Sequence, residues 1–276
     1  MPFFQSASLK EITKPFIDAI PGARQIIQRV RHGKKPPPEF SGWGMTTNRV
    51  PPWKNDSQIA RDFLKANDAL IAAVRDGHFH MTQYADNTDK LGMLRSLMWR
   101  HYFVFWTVRH AAVSGGESLV ECGVSDGLTA YFASHAVNNA KKIYLYDAWE
   151  KMLEEDLLES ESRHMGDYAY LTLERTKKNL EGVNAEYVKG HIPDVFKTHK
   201  TPESIAWLHI DLNASKPTTD SLEEMYRHVA SGGAILFDDY AGRGFKDTRS
   251  AVDKFFSDKG GLFLPMPTGQ GVFFKY

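Results

Sequence analysis

Residues 118–147, SLVECGVSDGLTAYFASHAVNNAKKIYLYD, constrain the fold of this chain more than any other stretch. Ser118–Val120 open an apolar strand, and Glu121-x-Gly123-x-x-x-Gly127 makes a tight turn. Leu128–Val137 has helical character, and Ile143–Tyr146 form a second buried strand that ends at Asp147. Glycine is needed where the backbone takes positive φ or passes close to a ligand. A helix starting directly after the turn offers unpaired N–H groups to an anionic group such as a carboxylate. An acid about 20 residues past the glycines, at the tip of the second strand, suits a ribose diol. The pattern is that of a nucleotide-type site. It is not the dinucleotide fingerprint G-x-G-x-x-G, because Ser125 stands where a middle glycine would be.

Downstream the pattern keeps alternating. Glu174–Leu180 reads as a helix, Ala185–Val188 and Ile205–Ile210 as strands, Ser221–Val229 as a helix, Ala234–Phe237 as a strand and Thr248–Phe256 as a helix. Such alternation argues for a doubly wound α/β fold, a parallel sheet with helices on both faces. Leu262–Leu264 and Val272–Lys275 are joined by a connection too short for a parallel crossover, so they form an antiparallel hairpin.

The first hundred residues differ in character. Lys34–Pro38 is a stiff connector, followed by an aromatic loop bearing Trp43 and Trp53. Asp56 or Ser57 can cap a helix with Ile59, Phe63, Leu70 and Val74 on one face, stopping near Gly77, and Leu91–Val113 reads as one further helix. We expect residues 1–110 to form a helical cap or lid and residues 111–276 the nucleotide-type domain.

Composition limits the partners. The 276 residues carry 34 basic and 34 acidic side chains, which gives no electrostatic case for nucleic acid or an anionic membrane. No apolar run reaches the ~18 residues of a membrane span, and the opening MPFFQSASLKEITKPF lacks the pattern of a secretory signal. The expected location is cytoplasmic. Cys122 is the only cysteine, so neither an internal disulfide nor a multi-cysteine zinc site can form.

Ligands of doubly wound sheets sit beyond the carboxyl ends of the strands. Those ends carry Glu121 and Gly123, Asp147, Gly190-His191, Asp211 and Asp238-Asp239. Three carboxylates converging at one rim, Asp211, Asp238 and Asp239, suit a hard divalent cation such as Mg²⁺. The structural alternative is that Asp239 caps a turn and Asp238 binds a backbone N–H.

Residues 118–276 resemble the macrocin O-methyltransferase type of class I S-adenosylmethionine-dependent methyltransferases, which methylate sugar hydroxyls. The stretches that carry the likeness are Glu121–Gly127, Leu145–Asp147, Leu208-His-Ile-Asp211, Ser231–Tyr240 and Pro267–Gly271. The resemblance implies a mostly parallel seven-stranded sheet with a C-terminal antiparallel hairpin, behind an N-terminal helical cap. It implies S-adenosylmethionine held by Glu121, Gly123, Ser125 and Gly127 at its amino-acid end, Asp147 and Ala148 at the ribose, and Gly190, His191 and Ile192 along the adenine. Asp211 lies beside the donor, and Met81 belongs to the stretch matching the family's cofactor lid. It also implies Mg²⁺ on Asp211, Asp238 and Asp239. The family often has a second acid two residues after the first metal ligand; here Asn213 stands there and cannot take a proton. A metal-bound alkoxide, His191, His209 or Asp211 then remains for that task. The partner expected is a small-molecule or glycan acceptor, with self-association left open. The rivals are a nicotinamide-dependent oxidoreductase and a catalytically silent nucleotide-binding subunit.

Other features have competing readings. His78-x-His80 reads as a metal pair or as surface histidines. Arg95, Arg100 and Arg109 read as an anion grip or as a solvated helix face. Glu154, Glu155, Glu159 and Glu161 form an acidic run expected at the surface, and Trp43, Trp53 and Trp149 read either as sugar-stacking or as packing rings.

Overall fold

The computed structural model describes residues 50–82, 89–242 and 244–276. The Lys34–Pro38 connector and the Trp43 loop lie outside them. Residues Pro52–Tyr276 form one compact unit. The helices before residue 111 belong to that unit, whereas the sequence placed a division at 110/111. Their apolar faces explain the difference: Phe63 and Leu70 share one core with Leu119, Trp207 and Leu236 of the sheet.

In chain order the main elements are α1 (Gln58–Arg75), α2 (Lys90–Ser96), α3 (Met98–Ala111), β1 (Ser118–Cys122), α4 (Leu128–Ala136), β2 (Lys142–Asp147), α5 (Leu173–Asn179), β3 (Ala185–Lys189), β4 (Ile205–Ile210), α6 (Ser215–Met225), β5 (Val229–Phe237), α7 (Lys246–Phe256), β6 (Gly261–Pro265) and β7 (Gly271–Lys275). The seven strands lie in the order β3-β2-β1-β4-β5-β7-β6, and β7 runs antiparallel to both β5 and β6. This is the expected mostly parallel sheet with its terminal hairpin. No described helix is long and apolar enough to cross a membrane.

Ser57 caps α1, its hydroxyl accepting from the N–H of Ala60 at 3.3 Å. The helix expected over 91–113 is two helices, because Leu97 ends α2 and begins α3. The helix expected over 221–229 starts at Ser215 instead. The polar start of α6 hid it: the Thr218 and Ser221 hydroxyls bond back to the carbonyls four residues earlier, at 2.7 and 2.8 Å, and so bury without loss. Pro217 is tolerated because it sits in the first turn, where no N–H is needed.

Alternation along the strands divides the core. Leu119, Trp207 and Leu236 face α1–α4, while Val120, Leu208 and Ile235 face α6 and α7. The helix α3 buries residues on most of its circumference because it packs on helices outwardly and on β4 and β5 inwardly. Trp207 is fully buried, and its indole N–H donates to Thr107 Oγ1 at 3.0 Å, pinning α3 to β4.

Replacing Thr107 by Val keeps the volume but leaves that indole donor unpaired in the core. The expected cost is about 1–3 kcal/mol in urea unfolding; an unchanged midpoint would show that the hydroxyl does not hold the helix.

Candidate active site

The strand ends are aligned by hydrogen bonds that continue past the strands themselves. Gly190 N–H donates to Asp147 O (3.0 Å), Gly123 to Tyr146 O (2.9 Å), Asp211 to Cys122 O (2.8 Å) and Asp238 to Ile210 O (3.1 Å). These bonds tie the rim residues named from the sequence into one row along the sheet edge. Gly123 is required there: at φ +85° a Cβ would lie 1.8 Å from the Asp211 carbonyl oxygen.

Asp147 organises the turn. Its Oδ2 accepts from Val124 and Ser125 N–H at 2.7 and 2.9 Å, and its Oδ1 from Trp149 N–H at 2.6 Å. Burial pushes the carboxyl up, and the amides of Ser125, Trp149 and Val124 work against that shift. Ser125 itself has φ +53°, so a non-glycine residue is held left-handed by the bonds around it.

Two clefts open at this rim. The first is lined by Gly123, Ser125, Asp147, Ala148, Gly190, His191, Ile192 and Asp211, eight residues expected from the sequence to hold the donor. It also takes Met152, Asp156 and Tyr168 from the loop after β2. The second is lined by Met81, Glu121, Gly123, Ser125 and Asp211 together with Arg100, His101 and Gln270. Gly123, Ser125 and Asp211 therefore line both. Gly127 lines neither; it starts α4 with φ +88°, and a Cβ there would press on Leu180 at 2.8 Å. The left-handed φ and the Leu180 contact both call for glycine there.

Met81 is placed by a clamp. Asp126 accepts from Thr82 N–H and Oγ1 at 2.5 and 2.6 Å and from Arg175 Nε at 3.0 Å. Asn179 bridges His80 to the Asp126 carbonyl through bonds of 2.8–2.9 Å. Segment 80–82 is thus fixed across the start of α4, and the His78/His80 metal pair finds no third ligand among the described residues.

The second cleft has a buried polar floor. Glu121 and His209 are direct partners in the β1/β4 register, and His209 Nδ1 lies 3.2 Å from Glu121 Oε1. Burial raises the Glu121 carboxyl, partly offset by His209. Glu121 Oε2 and His209 Nε2 are buried with no partner among the described residues. Above them His101 stacks on Phe132 at 4.4 Å, and burial lowers its imidazole to about 3.

The carboxylates of Asp211, Asp238 and Asp239 offer oxygens all within 4.8 Å of one another. Burial, then the neighbouring acids, push Asp211 well up and Asp239 up to about 7. Asp239 Oδ2 is buried without a partner among the described residues. Among the described residues no backbone N–H reaches the Asp238 carboxylate: Arg100 meets its Oδ2 and Gln270 donates to its Oδ1 at 3.0 Å. Asn213, at φ +55°, reaches Asp211 Oδ1 at 3.5 Å.

Several expectations are corrected here. Arg100 and Arg109 are not a solvated face, since Arg109 pairs with Asp62 at 2.7 Å and Arg100 with Asp238. Glu161 is buried rather than surface decoration, accepting from Ser215 and Leu158 N–H at 2.8 and 3.1 Å. Trp149 and Trp53 are buried packing rings, Trp149 donating to Thr176 Oγ1 at 2.9 Å. His191 sits between Glu150 (3.3 Å) and Asp156 (3.5 Å), in the first cleft. Sequence reasoning missed His101 and Tyr168. Tyr168, at φ +67°, is an outlier of the kind that clusters at functional sites. Burial raises its phenol, and the nearby charges of Asp211 and Asp239 add to the shift.

A family model described as a methyltransferase domain matches residues 120–240. Among solved structures the chain is similar to the O-methyltransferase NovP, at 18% identity and a TM-score of 0.57, over 64% of this chain and 80% of that one. It is also similar to CalS11, a calicheamicin methyltransferase, at 17% identity and a TM-score of 0.54, over 85% of this chain and 98% of that one. No curated protein matches the sequence. The likeness is one of fold: the chain has the class I methyltransferase fold.

Gly123→Ala should lower the thermal midpoint and distort the rim, since the clash is with backbone and cannot be relieved by a rotamer; an unshifted midpoint would remove the close approach from the account. His101, neutral in the fold, contributes stability that is present above about pH 6.5 and is lost as pH falls toward 3. Relative to His101→Phe, the wild type should therefore lose on the order of 1–2 kcal/mol between pH 6.5 and 5 in urea unfolding. Parallel pH profiles would mean that His101 is not held neutral.

Proposed function

We propose that this protein transfers a methyl group from S-adenosylmethionine to a hydroxyl of a sugar, glycan or glycosylated small molecule, assisted by a divalent cation such as Mg²⁺. The observation that carries this reading is the meeting of two clefts at Gly123, Ser125 and Asp211, with the acid triad beside the junction. A long ligand that is nucleoside at one end and amino acid at the other fits such a pair.

The residues fit the donor. Asp147 lines the first cleft, and its Oδ1, which accepts a single amide bond, keeps acceptor capacity for a ribose hydroxyl; Ile192 and Met152 give the cleft apolar walls. Glu121 has an unpartnered buried oxygen for an ammonium group, and the start of α4 offers N–H groups to a carboxylate. When bound, S-adenosylmethionine supplies a methyl group on a sulfonium, already electrophilic.

The triad fits a hard cation, because its donors are carboxylate oxygens, close together and partly unpaired. Such an ion supplies a Lewis acid that lowers the pKa of a nearby hydroxyl. The protein's own part is orientation, for which ~7–11 kcal/mol is the ceiling, and removal of the acceptor proton. Asn213 cannot take that proton, His209 is sealed in the core, and His191 is held in the first cleft. The role falls to Asp211, which stands at the junction. The sugar acceptor is supported by the resemblance to macrocin-type enzymes.

Calorimetric titration should show S-adenosylmethionine binding that Asp147→Ala weakens by roughly tenfold or more. Asp239→Ala should leave donor affinity nearly unchanged and reduce turnover on a glycosylated acceptor by about 10²-fold or more. Binding of NADH in place of the methyl donor would sink the proposal. Full turnover of Asp239→Ala in the presence of a chelator would remove the cation from it.

A further inference from the structure

Arg100 lies in the first turn of α3, and its guanidinium is committed on several sides. It meets Asp238 Oδ2, donates to the Asp238 carbonyl at 3.1 Å and to the Thr268 carbonyl at 2.8 Å. Gln270 holds the other Asp238 oxygen at 3.0 Å. The two charged side chains are 27% and 20% exposed, so solvent and salt screen them only in part. Asp238 nevertheless belongs to the same oxygen cluster as Asp211 and Asp239. When all three are ionised, as around a bound cation, the carboxylates with one guanidinium seated on them carry two net negative charges.

We propose that Arg100 sets the charge of this triad to that of a divalent cation and so selects the valence of the ion held there. The inference rests on the metal-assisted reading of the site. A doubly charged ion leaves the cluster neutral. A triply charged ion would leave an excess positive charge in surroundings where uncompensated charge is costly. Without Arg100 the balance reverses, since three carboxylates then match a trivalent ion. Arg100 does this without being a ligand: it anchors Asp238 through both the carboxylate and the main chain, and the Gln270 bond keeps that carboxylate in place. Lysine would keep the charge but lose the fork that spans the carboxylate and the Asp238 and Thr268 carbonyls.

The test measures ion affinity on the whole protein with no methyl donor present. Mn²⁺ binding is followed by the paramagnetic resonance signal of the free ion, and Tb³⁺ by its competition for the same site. In Arg100→Met both ions should bind more tightly and Tb³⁺ should gain more, raising the Tb³⁺/Mn²⁺ affinity ratio by about tenfold or more. Arg100→Lys should keep the ratio within about threefold of wild type, because the charge remains. An unchanged ratio in Arg100→Met overturns the proposal, as does a fall in both affinities or wild-type protein that binds no Mn²⁺. Circular dichroism checks folding, and Arg100→Gln, which can still donate to the Thr268 carbonyl, decides the point if the methionine variant does not fold. S-Adenosylmethionine titrated into the same wild-type sample separates the two readings. Its failure to bind removes the methyl donor, while the ion ratio alone decides the role of Arg100.

Discussion

The candidate site depends on a layer of buried polar contacts between α3 and the sheet. Strand alternation sends Glu121, His209, Asp211 and Asp238 to the face that α3 covers, and α3 answers with Arg100 and His101. Burying so many ionisable groups is unfavourable unless each finds a partner. The Glu121–His209 contact and the Arg100–Asp238 pair meet much of that need. Among the described residues His101 Nδ1, Glu121 Oε2, His209 Nε2 and Asp239 Oδ2 find no partner.

The rigidity of the rim has a simple origin. Parallel strands end on the same edge, and here the ladder is extended by one further hydrogen bond at several strand ends, as in Gly123 to Tyr146 and Asp211 to Cys122. The absence of a side chain at Gly123 lets the first turn touch the end of β4. The glycine turn and the first acid of the triad are thereby one unit. Movement of either would displace the residues that line both clefts.

The helices before residue 111 change the account of the site. They supply Arg100 and His101 to the second cleft, and the segment after α1 supplies Met81, so the cleft is completed by residues distant in sequence from the strands. Arg100 in particular joins α3 to the ends of β5 and the loop before β7. A substitution in α3 therefore acts on the acid triad electrostatically as well as through packing.

The sequence by itself determined the sheet, its terminal hairpin and the rim. Period-two strands alternating with helices, a glycine turn after β1, and acids at strand ends are local patterns, and each is dictated by backbone geometry within a few residues. It also determined that Asp211, Asp238 and Asp239 share an edge, because parallel strands place their ends together. The tertiary structure alone decided who pairs with whom. Nothing local distinguishes Arg100, which sits on Asp238, from Arg95, which is exposed, or marks Glu161 as buried among an acidic run. Nor does the spacing of Gly127 reveal that a side chain there would meet Leu180. Those outcomes depend on contacts between residues far apart in the chain, and on the energy of burying charge, which exists only once the core has closed.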